Sequence, residues 1–219
     1  MSTQTEILEA VKNGDIAKVQ SLLKADPDLI YAKTDNQIPL VLLATYQRNP
    51  RLLEVILSNS NYELDIFEAA ALGVNERVQE LLNNQADLIN STSPDGFSPL
   101  GLASFFGHAD TVKLLIEKGA NVNQASKNDW QVQPLHSAVA ARSLEIVTYL
   151  LENGAEVNTQ QQHGFTPLHA AAQNGDADMI KLLLEHKADI NATTSSGETA
   201  MDIALKCKHT EAAHMFVAG

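Results

Sequence analysis

The chain has a single cysteine, Cys207, so no disulfide can form within it, and aromatic residues make up only 5% of its 219 positions. Without a disulfide framework or many large rings, the core has to be packed by aliphatic side chains, and alanine and leucine carry that packing. Basic residues are scarce as well: 15 Lys+Arg against 27 Asp+Glu leave a net charge of -12. A surface this acidic disfavours phosphate backbones and anionic membranes. No window approaches the roughly 20 apolar residues of a membrane span. The opening Met-Ser-Thr-Gln-Thr-Glu lacks the basic segment and apolar run of a secretory signal. Together these absences predict a soluble cytoplasmic protein with no nucleic-acid or membrane partner.

Catalytic signatures are missing too. The phosphate-cradling patterns G-x-x-x-x-G-K-[ST] and G-x-G-x-x-G do not occur, nor does the nucleophile elbow G-x-S-x-G. Ser21 and Lys24 have S-x-x-K spacing, but Leu22 and Leu23 between them belong to an apolar helical stripe. No His/Cys/Asp/Glu set has metal-ligand spacing. The expectation is a protein that is not an enzyme and needs no cofactor or metal.

What the chain does have is a period. In the stretch from His163 to Asn191, Thr166 is placed to accept from the free N–H groups of a new helix, and Pro167 follows at the first helical position, where a missing N–H costs nothing. Gly175 stops that helix, Ile180, Leu183 and Leu184 form the stripe of a second, and Ala188 to Asn191 lead into the next turn. Positions equivalent to Pro167 fall at Glu6, Pro39, Asp65, Pro99, Pro134, Pro167 and Ala200, at intervals of 33, 26, 34, 35, 33 and 33 residues. A period near 33 held from end to end predicts one domain over 1–219, because each unit can bury its faces only against its neighbours. The first and last of the seven units read as caps. The interval of 26 predicts a truncated connection with irregular packing between units two and three. Lys187 replaces the glycine found at Gly119 and Gly154 after the second helix, which predicts a left-handed backbone there.

The pattern G-x-T-P-L-H-x-A-A, then V-x-x-L-L, then G-A-D-V-N resembles the ankyrin repeat, and units four to six match it most fully. The resemblance implies an all-α solenoid of stacked helix-turn-helix units with short β-hairpin-like loops. It also implies that His136 and His169, at the T-P-L-H position, tie one hairpin to the next through hydrogen bonds. Functionally it implies a protein-protein interaction module whose hairpin tips and first helices line a concave face. The alternatives are a regulator or inhibitor of a partner enzyme and, less favoured, an enzyme built on the scaffold.

In that family the variable letters facing the concave side choose the partner. Here they are Phe97, Val132 and Phe165 in the hairpins of units four to six. At the ends of the first helices they are Phe105 and Phe106, then Ala140 and Ala141, then Gln173 and Asn174. Trp130 lies in the one lengthened hairpin. Aromatic side chains are common interface anchors, and small Ala140 and Ala141 beside them leave a depression. The sequence thus points to a monomer that binds a protein or peptide at these ten residues, with Phe106 or Trp130 as anchor. At least three of the rings of Phe97, Phe105, Phe106, Trp130 and Phe165 are expected to stand open to solvent.

Overall fold

The structure, a computed structural model, describes residues 2–58 and 62–217. Among these residues fourteen α-helices follow one another in seven consecutive pairs. Units one to three are α1 (Thr3–Lys12) and α2 (Ile16–Ala25), α3 (Leu40–Tyr46) and α4 (Pro50–Leu57), then α5 (Ile66–Leu72) and α6 (Asn75–Asn84). Units four and five are α7 (Pro99–Phe106) and α8 (Ala109–Glu117), then α9 (Pro134–Ala140) and α10 (Leu144–Glu152). Units six and seven are α11 (Pro167–Asn174) and α12 (Ala177–Glu185), then α13 (Ala200–Lys206) and α14 (Thr210–His214). The odd-numbered helices pack in one continuous row. The even-numbered ones form a second row in which α2 meets α4 and α6 meets α8, but α4 and α6 have no comparable packing.

Polar side chains set the helix starts. Ser98 and Thr166 accept from the N–H groups of Gly101 and His169, with Pro99 and Pro167 following as the first helical residues. Helix ends need a left-handed residue. Gly175 supplies it after α11, while Arg48, Arg142 and Lys208 adopt it after α3, α9 and α13. Lys187 has φ +68°, in line with its reading as a glycine substitute.

Three phase positions sit differently from their sequence reading. Glu6 lies a turn inside α1, because Ser2 caps the helix by accepting from Thr5 N–H. Pro39 and Asp65 are capping residues, so α3 and α5 begin one position later. Asp65 accepts from the N–H groups of Phe67 and Glu68, and Glu68 therefore takes the place that His169 holds in unit six. The Glu68 side chain is wholly buried. It accepts from Asp65 N–H at 3.0 Å and from the Tyr62 hydroxyl at 2.7 Å.

Before the first helices of units two, four, five, six and seven, the loop folds back into a narrow finger, closed by one backbone bond such as Ser93 N–H to Phe97 O or Ser126 N–H to Val132 O. Only isolated bridges form in these fingers among the described residues, at Lys33 with Pro39, Gln161 with Phe165 and Thr193 with Thr199. Successive fingers are joined by backbone donation: Lys127 N–H to Gly96 O, Gln162 N–H to Trp130 O, and Ser195 N–H to His163 O. Unit three shows no such finger among the described residues, and part of its short connection, 59–61, lies outside them.

At this short connection the solenoid holds together differently. The buried core divides into one cluster within units one and two and a larger one running from Ile66 to Phe216. A third, small cluster of Leu42, Ala71 and Leu102 takes one residue each from α3, α5 and α7 and bridges the break. Unit two also reaches over unit three to unit four. The Tyr46 hydroxyl donates to the Asp95 carboxylate, its ring lies 5.6 Å from that of Phe106, and the Arg48 guanidinium donates to Phe105 O at 3.2 Å. Contacts between next-nearest units depart from the neighbour-only rule of solenoids. In unit seven Phe216 is buried, whereas Val217 is exposed.

Candidate partner-binding site

Units four, five and six enclose a cleft of about 330 Å³ on the side of the fingers and first helices. Its walls are built one unit at a time. Unit four contributes Phe97 from its finger and Phe105 from α7. Unit five contributes Trp130 and Val132 from its lengthened finger, and His136, Ser137 and Ala140 from α9. Unit six contributes Gln161 and Phe165 from its finger, and Ala170, Gln173 and Asn174 from α11.

Eight of the ten residues singled out from the sequence thus line one cavity: Phe97, Phe105, Trp130, Val132, Ala140, Phe165, Gln173 and Asn174. Phe106 and Ala141 do not line it. Phe106 packs at 5.1 Å, nearly edge-on, against Phe105 and faces Tyr46, with the Arg48 guanidinium 5.7 Å from its centroid. The ring is half-buried in the contact that bridges units two and four, which corrects the expectation that it stands open beside the cleft. The expectation of at least three open rings is also corrected. Trp130 is 58% exposed, while Phe97, Phe105, Phe106 and Phe165 are each half-buried. A phenylalanine on a short helix or finger has the next unit to lean on, whereas Trp130 stands at the tip of a finger longer than its neighbours.

His136 lines the cleft, and His169 makes the equivalent tie one unit further along. His169 Nε2–H donates to Glu198 O at 3.2 Å, which leaves Nδ1 as an acceptor for the Thr166 hydroxyl at 2.8 Å and the Thr166 N–H at 3.1 Å. His136 Nε2–H likewise donates to Phe165 O at 3.1 Å, across to the finger of unit six. Burial pushes the His136 imidazole down to about 4, so it is neutral at pH 7, and burial lowers His169 as well. Both histidines are structural ties. Among the described residues no group of three His, Cys, Asp or Glu side chains is placed to hold a metal ion, and no helix is long and apolar enough to cross a membrane.

Unit five lacks one part of this arrangement. Gln133 stands where unit six has Thr166; it gives α9 no side-chain cap, and both its buried Oε1 and His136 Nδ1 have no partner. Gln133→Thr is expected to restore the cap and donate to Nδ1, raising stability by about 1–2 kcal/mol. Urea unfolding at pH 7 checks this; an unchanged or lower midpoint would mean that the glutamine packs better than a threonine can bond.

The sequence reading missed His136, Ser137, Gln161 and Ala170 as lining residues. Gln161 was legible in principle, since it opens the finger that carries Phe165.

Comparison with known proteins agrees with this architecture. Residues 66–161 match the family model for ankyrin repeats (3 copies), and residues 150–204 match that for ankyrin repeats (many copies). The chain is 37% identical over 103 residues to ankyrin repeat and SAM domain-containing protein 6 of Rattus norvegicus, covering 47% of this chain and 11% of the relative. It is 33% identical over 169 residues to ankyrin repeat and KH domain-containing protein mask-1 of Caenorhabditis elegans, covering 73% of this chain and 6% of the relative. With tyrosine-protein kinase HTK16 of Hydra vulgaris it shares 29% identity over 137 residues, 57% of this chain and 18% of that protein. The chain therefore spans less than a fifth of the length of these relatives. Ankyrin repeats are in general protein-interaction modules and are typically non-catalytic, although some relatives, such as the kinase, carry an enzyme's name. Stacked helix pairs and family matches that together run from residue 66 to 204 lead to one conclusion: the chain belongs to the ankyrin repeat family.

Proposed function

We propose that this chain is a non-catalytic binding module that holds a partner protein or peptide in the cleft between units four, five and six. The observation that carries the proposal is that side chains far apart in sequence, from Phe97 to Asn174, converge on one cavity with an exposed tryptophan at its edge. The cleft is largely preformed by packed helices and bonded fingers, so little ordering entropy is lost on binding. The proposal includes a cytoplasmic, monomeric protein with no nucleic-acid or membrane partner, and the net charge of -12 supports the last point. Regulation or inhibition of a partner enzyme is the second reading; it uses the same surface and differs only in what the partner does.

A test needs no known partner. Random peptides of about 12 residues selected on the full chain by display are expected to bind it and to compete with one another. Ala140 is exposed on α9 at the cleft, so Ala140→Arg fills the depression without disturbing the core. Trp130→Ala removes the anchor, at an expected cost of about 2 kcal/mol, or roughly 30-fold in affinity. Both variants should lose binding, while Leu144→Arg, exposed on α10 outside the cleft, should keep it. Peptides that bind Ala140→Arg as tightly as the wild type would move the binding site elsewhere.

A further inference from the structure

Next to the inner cleft, and sharing Phe97 and Trp130 with it, lies a second cavity of about 580 Å³. It opens where unit three supplies no finger among the described residues. Asn36 and Ile38 of finger two form one side, Pro94 and Asp95 of finger four the other, and Lys127 and Asn128 of finger five close the end.

The chemistry of finger four on this side is the reverse of what its neighbours offer. Finger five presents two donors to the finger before it: Lys127 N–H reaches Gly96 O at 2.7 Å and Asn128 Nδ2 reaches Asp95 O at 2.8 Å. Counting from the residue that closes each finger, Ser126 and Ser93, the equivalent positions in finger four are Pro94 and Asp95. Pro94 has no N–H, and the Asp95 carboxylate only accepts. Its Oδ2 accepts from Tyr46 and its Oδ1 from Ser93, which leaves about two of a carboxylate's four lone-pair sites for a further donor. Asp95 and Lys127 are the two charged residues that line the gap, and exposed Asp35 and Asp129 are chain neighbours of its lining residues Asn36, Asn128 and Trp130. Trp130 offers a broad open ring beside it.

We propose that this gap between fingers two and four binds an arginine side chain of an extended partner peptide, whose guanidinium bonds to Asp95 and stacks on Trp130. A guanidinium is donor-only, planar and cationic, and so meets an acceptor-only wall and an aromatic face at once. An ammonium meets the charge but not the ring geometry. A carboxylate-bearing or purely apolar segment leaves Asp95 facing like charge or nothing. This site adjoins the inner cleft, with which it shares Phe97 and Trp130, but does not depend on a partner being held there.

The test is titration of the ¹⁵N-labelled full chain with N-acetyl-arginine amide at about 0.15 M salt, read on the indole N–H of Trp130, the one tryptophan in the chain. The expected result is a saturable shift of that signal and of the backbone amides in 36–38, 95–97 and 127–130, with a response at least threefold weaker to the lysine analogue and none to norleucine. Asp95→Asn should weaken binding at least tenfold. Asp178→Asn makes the same charge change on α12 away from the gap and should leave it unaltered. Ala140→Arg, which blocks the inner cleft, should also leave it unaltered, so failure of one site does not imitate failure of the other. Equal losses in Asp95→Asn and Asp178→Asn would reduce the effect to general attraction by an acidic protein and overturn the proposal. If Asp95→Asn proves unfolded by circular dichroism, the wild-type shift map decides alone: shifts absent, or centred outside the gap, overturn it.

Discussion

Glu68→Gln is expected to remove a loss of stability that the wild-type chain suffers between about pH 5 and pH 8. Burial, and then the neighbouring Asp65 charge, push the Glu68 carboxyl up to about 7, against the lowering effect of the hydrogen bonds from Asp65 N–H and Tyr62 and of Lys33. The native pKa lies above the ordinary value of 4.5, so between these values the folded chain holds a proton that the unfolded chain has released. The contribution of Glu68 is therefore complete below about pH 4.5 and is lost as pH rises through 7. Its size is roughly 3 kcal/mol. Buried His136 acts with the opposite sign: its native pKa is depressed from 6.5 to about 4, so its contribution is present above pH 6.5 and is lost as pH falls toward 4. The two oppose one another from about pH 4.5 to 6.5, and above that the Glu68 effect stands alone. Glutamine cannot ionise, and its amide matches only one of the two donors facing it, so the variant should be somewhat less stable than wild type at pH 5 and more stable at pH 8. Urea unfolding at the two pH values measures the difference. Parallel pH profiles for wild type and variant would show that the carboxylate is accommodated in the native fold.

Leu42→Ala should cost about 3 kcal/mol and divide the unfolding of the chain in two. Leu42 is fully buried and, with Ala71 and Leu102, forms the apolar bridge across the break between the two main cores. Truncating it leaves a cavity in the row of first helices, at a junction where the second row already lacks comparable packing between α4 and α6. Units one and two are then held by the packing of α3 on α5, by Tyr62 and Leu64 against their core, and by the contacts of Tyr46 and Arg48 with unit four. Solenoid stability is the sum of unit and interface contributions, so weakening one interface lets the shorter side unfold first. Hydrogen exchange is expected to show lower protection for amides of α1 to α4 than for those of α7 to α12. Protection lowered evenly along the whole chain would mean that the core behaves as one cooperative body despite the break.

Much of this architecture was legible because the repeat encodes local decisions. A capping Thr166, a proline at the next position, a left-handed stop at Gly175 and an apolar stripe are each settled within a few residues, and stacking only repeats them. Even Lys187 could be assigned its left-handed backbone from register alone. The same register predicted which side chains face the cleft, since residues at one phase of every unit share one side. It could not predict how far each would be covered. Phe106 and Trp130 looked alike as candidate anchors, yet Phe106 meets Tyr46 and Arg48 from two units away, and Trp130 meets open solvent. Likewise, the 26-residue interval announced an irregular connection but not what it leaves behind.

The sequence by itself determined the all-helical repeat, its phase in the regular units and the face on which its variable residues lie, because these depend on hydrogen-bond supply and periodicity within a single unit. Only the tertiary structure decided that unit two grips unit four across the short connection into unit three, that Glu68 lies buried against Tyr62, and that Pro94 and Asp95 look into an open gap. Those features arise from what one unit presents to a unit that is not its neighbour in the chain, and no local rule in the sequence specifies that pairing.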